Sequence, residues 1–113
     1  MQTLTQAVLD VLDNLKTDNI TVLDVSRLSN VTDCMIVATA NSTRHAKATA
    51  QKMITAVKEQ QQPCLGIEGE QDGEWILLDL GNLVVHLMLP HVRDFYRLER
   101  LWADRNLTLA QAS

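Results

Sequence analysis

Trp75-Ile76-Leu77-Leu78-Asp79-Leu80-Gly81-Asn82-Leu83-Val84-Val85-His86-Leu87-Met88-Leu89 holds two apolar runs split by a Gly-Asn pair. A two-residue, glycine-containing connection between such runs predicts a tight β-hairpin. The loop length also predicts the register: Leu80 faces Leu83, Asp79 faces Val84, Leu78 faces Val85, Leu77 faces His86, Ile76 faces Leu87 and Trp75 faces Met88. Side chains alternate along a strand, so Ile76, Leu78, Leu80, Leu83, Val85, Leu87 and Leu89 share one wholly aliphatic face, which must be core. The opposite face carries Trp75, Leu77, Asp79, Val84, His86 and Met88, with Asp79 and His86 as diagonal neighbours within reach of each other. Two readings of it stay open. Either a helix covers it, with His86 bonded to Asp79 as a satisfied buried pair, or part of it is a docking surface, since Trp and Met with a few polar anchors are typical of an interface centre.

Outward from the hairpin, residues 3–16 read as an amphipathic helix: Leu4, Val8, Val11, Leu12 and Leu15 keep the 3.6-residue period. Thr3 and Gln6 have capping-box spacing. Asp18-Asn19 is expected to break this helix, and Ile20 to Val25 to form a β-branched strand. After a polar turn at Ser29-Asn30, Cys34 to Ala40 reads as a strand apolar on both faces, hence interior to the sheet. Asn41-Ser42 caps a second helix with Ala46, Ala50, Met53, Ile54 and Val57 inward, ending before Pro63. Cys64 to Gly69 is a short strand and Gly69 to Gly73 a turn. His91 to Asp104 reads as a final helix, with Val92, Phe95, Leu98, Leu101 and Trp102 apolar. The sum, α-β-β-α-β-β-β-α, predicts one α/β domain: a mixed five-stranded sheet flanked by helices. It is expected to span residues 1–106, with 107–113 a weakly ordered tail.

The 113 residues suffice for one core, and 46% apolar with 21% charged excludes wholesale disorder. Ten Lys and Arg against fourteen Asp and Glu give a net charge of −4. That argues against general nucleic-acid binding, which relies on basic residues to neutralise phosphate, and leaves a basic protein as the fitting partner. Five carboxylates (Glu68, Glu70, Asp72, Glu74 and Asp79) lie between Gly66 and Asn82 without a basic residue. Such a run is either a solvated turn or a steering surface. Cys34 and Cys64 read as reduced core residues of a cytosolic protein. No apolar run is long enough for a bilayer and the N-terminus lacks signal-peptide character, so the expected location is the cytoplasm, with no membrane partner.

Catalytic signatures are missing. There is no G-x-x-x-x-G-K-[ST], G-x-G-x-x-G or G-x-S-x-G. Ser42 reads as a helix cap, His45 as a surface residue, and the His and Cys spacings match no metal site. No cofactor or metal is expected. The final helix brings Arg93, Tyr96, Arg97, Glu99, Arg100 and Trp102 within ten residues. This is either an ordinary solvated face or a cluster of the residue types most enriched at binding hot spots.

Taken in order, Thr32-Asp33 before Ile36-Val37-Ala38-Thr39, Ser42-x-Arg44-His45, Glu68-Gly69, Trp75-Ile76-Leu77-Leu78-Asp79-x-Gly81, Val85-His86 and Arg93-x-x-Tyr96-x-Leu98-Glu99-x-Leu101-Trp102 resemble the ribosomal silencing factor family, RsfS or Iojap-like. The resemblance covers about residues 4–104. Cys34 stands where the family usually has an aromatic, and Ala40 where glycine is common; both bear on packing or a turn. The resemblance implies a nucleotidyltransferase-like topology without that catalysis. It also implies a translational repressor, not an enzyme, that binds the large ribosomal subunit through ribosomal protein fourteen. Bound there, it would sterically block joining with the small subunit and damp translation under nutrient limitation. The expected partner-binding residues are Trp75, Asp79, His86, Arg93, Tyr96, Glu99 and Trp102, with Trp102 and His86 also candidates for structural support. Homodimerisation of the free chain, and a minor contact with ribosomal RNA through Arg44, Lys47 and Lys52, are compatible with this. The alternative is a nucleotidyltransferase-like enzyme or nucleotide sensor using the Ser42 helix N-terminus and Asp79.

Overall fold

The computed structural model describes residues 3–27, 32–62 and 64–96, with side chains given as far as Arg93. The turn expected at Ser29-Asn30, the stop at Pro63, the final helix beyond Tyr96 and the tail at 107–113 lie outside the described residues. The elements run α1 (Leu4–Asn14), β1 (Asp18–Asp24), β2 (Cys34–Thr39), α2 (Thr43–Glu59), β3 (Gly66–Glu68), β4 (Trp75–Asp79), β5 (Leu83–Met88) and α3 (Pro90–Tyr96). They form one α/β domain around a five-stranded sheet of order β1-β2-β5-β4-β3. The β2–β5 pair is parallel and the other three pairs are antiparallel, so the sheet is mixed. A parallel neighbour requires a crossover, which α2 begins.

Capping signals placed both long helices. Thr3 accepts from the Gln6 amide at 3.1 Å, and Ser42 accepts from the His45 amide at 3.0 Å. Only half of the expected capping box forms at α1, because the Gln6 side chain turns forward to Asp10 at 3.2 Å. The first helix ends sooner than expected. Lys16 takes a left-handed φ of 59°, and the strand starts at Asp18, where a helix break was expected to precede it. A second left-handed residue, Asn19 (φ 50°), accompanies a register shift between Asp18 and Thr21, so one extra residue is absorbed as a bulge.

The hairpin has the expected register, from Trp75↔Met88 to Asp79↔Val84, closed by the Leu80 amide on the Leu83 carbonyl at 2.8 Å. Its aliphatic face is core. Ile76, Leu78, Leu80, Leu83, Val85, Leu87 and Leu89 pack with Val8 and Leu12 of α1, Ala46, Ala50, Met53 and Val57 of α2, and Ile36 and Ala38 of β2. Truncating a fully buried side chain here, such as Leu87, costs about 2–5 kcal/mol in lost transfer energy and cavity. The other sheet face has a smaller cluster of Val25, Met35, Val37 and Met88, joined by Leu23, Trp75 and Val92 of α3. Cys34 and Cys64 are free thiols but only half-buried, so they border the core instead of filling it. Among the described residues, no helix is long and apolar enough to cross a membrane.

Candidate docking face

Trp75, Leu77 and Asp79 of β4, Val84, His86 and Met88 of β5, and Met35 and Val37 of β2 share the sheet face opposite α1 and α2. The face is graded. Met35, Val37, His86 and Met88 are buried, while Trp75, Leu77, Asp79 and Val84 are half-buried. The open part thus lies over β4 and one end of β5. It is flanked by the turn that carries exposed Glu68, Glu70, Asp72 and Glu74. Glu74 also meets His91 of α3 at 3.6 Å, a surface contact of little energetic weight.

The helix-covered reading of this face does not hold whole. The expected Asp79–His86 pair is replaced by two other bonds. Asp79 Oδ1 accepts from the Gly81 amide at 2.9 Å, closing its own turn. The Trp75 indole Nε1–H donates to His86 Nδ1 at 2.9 Å, with ring centroids 5.9 Å apart and planes tilted by 46°. Burial lowers the His86 pKa from 6.5 to about 4, so the imidazole is neutral at neutral pH, and its Nδ1 is a standing acceptor.

Arg93 is placed where it serves the fold. Its guanidinium is buried and donates to Thr39 Oγ1 at 2.8 Å, to Thr21 Oγ1 at 3.0 Å and to the Asn19 carbonyl. It ties the start of α3 to β1 and β2. Tyr96 falls in α3, and Glu99 and Trp102 lie outside the described residues. The turn expected from Gly69 to Gly73 forms, closed by the Gly73 amide on the Gly69 carbonyl at 2.9 Å, with both glycines at left-handed φ, near +80°. A Cβ on Gly69 would sit 1.9 Å from the Trp75 carbonyl oxygen, so the acidic turn presses directly on the backbone of the candidate face.

Ser42 and Asp79, the residues of the alternative nucleotide reading, both bond within the chain. Ser42 caps its own helix, and the neighbouring Asn41 amide donates to His45 Nδ1 at 3.0 Å. His45 Nε2 contacts the Leu15 carbonyl at the end of α1, so this half-buried residue bridges the two helices and is not the simple surface group expected.

Comparison with known proteins agrees with this architecture. The family model described as "Ribosomal silencing factor during starvation" matches residues 1–112, essentially the whole chain. The chain belongs to the RsfS family. It is 39% identical over 110 residues to the ribosomal silencing factor RsfS of Chromobacterium violaceum, covering 97% of this chain and 90% of that one. To the RsfS of Haemophilus influenzae it is 39% identical over 100 residues, covering 88% and 98%. A crystal structure of a C. violaceum protein superposes with a TM-score of 0.86 at 41% identity, covering 88% of this chain and 83% of that chain. As an RsfS-family protein, the chain is a ribosome-associated factor of translation regulation.

Proposed function

We propose that this chain binds the large ribosomal subunit through ribosomal protein fourteen and sterically blocks joining with the small subunit. What carries the reading is the half-open face of Trp75, Leu77, Asp79 and Val84 beside the acidic turn. An aromatic and two aliphatic side chains offer area to bury, and the carboxylates favour a basic partner. The mechanism is occlusion: a standard interface covers about 800 Å² per partner, and subunit joining needs the same surface. No bond is made or broken, so the protein acts as a repressor and not as an enzyme. Tyr96, Glu99 and Trp102 extend the proposed contact along the last helix, while Arg93 holds that helix to the sheet. A homodimer of the free protein through the same face would compete with docking, and Arg44, Lys47 and Lys52, exposed on α2, are available to phosphate of ribosomal RNA. The protein is proposed to act in the cytoplasm as a single domain spanning residues 1–106.

Co-sedimentation with separated subunits, followed by a subunit-joining assay, tests this. The expected result is binding to the large subunit alone and loss of joining, relieved by Tyr96→Ala or Asp79→Lys. Binding to neither subunit would overturn it.

A further inference from the structure

Trp75 is the large aromatic of the face, and its freedom is restricted from two sides. Its backbone is pinned by the Gly69 turn against its carbonyl and by the Leu89 amide donating to the Glu74 carbonyl at 3.0 Å. Its side chain is pinned by the 2.9 Å bond from Nε1–H to His86 Nδ1.

The choice of histidine at 86 needs a reason. The position is 5% exposed, pairs across strands with Val37 and Leu77, and is flanked in sequence by Val85 and Leu87. A leucine would suit such surroundings and avoid burying a polar ring. What the imidazole offers, and leucine lacks, is an acceptor aimed at the indole. Because Nδ1 accepts, the ring proton is on Nε2, the tautomer that this bond selects.

We infer that His86 is a positioning residue whose neutral imidazole holds the Trp75 indole in one orientation, so that the docking face meets its partner already ordered. Binding then need not freeze the largest side chain of the face, a cost that weakens association. The effect on affinity rests on the docking reading above, whereas the held indole does not.

Two arms separate these. In the first, the free full-length protein is labelled with ¹⁵N, and the Trp75 indole resonance is identified by its loss in Trp75→Phe. Its indole proton should exchange slowly in the wild type, become fast in His86→Leu and stay slow in His86→Asn, which keeps an acceptor near the Nδ1 position. Equal exchange in wild type and His86→Leu would overturn the inference. In the second, affinity for the large subunit should fall about threefold to tenfold in His86→Leu, recover in His86→Asn, and be unaffected by His86→Leu in a Trp75→Phe background. The same loss in that background would show that His86 acts through general packing, which also overturns it. A wild-type protein that binds no subunit removes the docking reading, while the exchange arm still decides whether the ring is held. If His86→Leu does not fold, His86→Phe, a ring of similar shape without the acceptor, takes its place: fast indole exchange supports the hold, and exchange as slow as in the wild type overturns it.

Discussion

Arg93, at the start of α3, donates to the Thr39 hydroxyl of β2 at 2.8 Å across a separation of 54 residues. The same guanidinium reaches Thr21 and the Asn19 carbonyl of β1. One side chain therefore fastens the last described helix to the edge of the sheet, at the bulge where β1 changes register.

Removing this fastening should cost stability. Arg93→Ala leaves Thr39, Thr21 and the Asn19 carbonyl without their charged donor, and a loss of about 3 kcal/mol is expected. Arg93→Lys should recover only part of it, because an ammonium cannot present the planar fork that serves several acceptors at once. Urea denaturation of the two variants and of Thr39→Val, expected to lose about 1 kcal/mol, measures the ranking.

His86 makes stability depend on pH in a stated direction. Burial depresses its folded pKa to about 4, against 6.5 in the unfolded chain. Above the unfolded value neither state binds the proton, and the contribution of the neutral ring is complete. As pH falls from about 6.5 to about 4, the unfolded chain takes up a proton that the folded chain refuses. Stability drops across that window by about 3 kcal/mol in total. Asp24 adds in the same direction at lower pH, since bonds from the Ser26 hydroxyl and amide hold its carboxyl below its ordinary value. Urea midpoints between pH 7 and 4 should fall less steeply in His86→Leu than in the wild type.

The hairpin register, the element order and the core face follow from local rules: a two-residue loop, alternation and helix periodicity. The bonds on the candidate docking face do not. His86 stands opposite Leu77, so Trp75 and Asp79 are both its diagonal neighbours, and the pattern of residues offers no choice between them. The turn decides: Asp79 is two residues from the Gly81 amide and takes it, as Asp does at turns, leaving His86 to the indole. Arg93 was legible as a member of a binding-type cluster but not as a fastening, because its acceptors lie 54 to 74 residues away. The early start of β1 was hidden for another reason: non-glycine residues at Lys16 and Asn19 adopt left-handed backbone that composition does not announce.

The glycines of the acidic turn and of the hairpin loop should differ sharply in tolerance. Gly69→Ala combines a left-handed φ with a Cβ 1.9 Å from the Trp75 carbonyl oxygen, and backbone must move. A loss of more than about 3 kcal/mol is expected. Gly73→Ala meets the flexible end of Lys47 at 2.9 Å but also Thr43 Cβ at 3.0 Å, so about 2 kcal/mol is expected. Gly81 has the same kind of φ, yet its nearest neighbour would be Leu65 Cδ1 at 3.7 Å. Gly81→Asn should cost no more than about 1 kcal/mol, because Asn tolerates that conformation. Thermal melting of the three variants tests the order.

Asp79 joins a structural bond to a proposed electrostatic one, and substitutions can part them. Asp79→Asn keeps an oxygen for the Gly81 amide and removes the charge, so stability should stay within about 1 kcal/mol. If the partner is basic, affinity for the large subunit should still fall about twofold to tenfold at low salt, and the gap to wild type should narrow as salt rises. Asp79→Lys reverses the charge beside Glu68, Glu70, Asp72 and Glu74 and should weaken binding further, while also opening the turn. A large-subunit affinity that Asp79→Asn leaves unchanged at low salt would mean that this carboxylate serves the hairpin alone, and that the acidic turn does not steer docking through it.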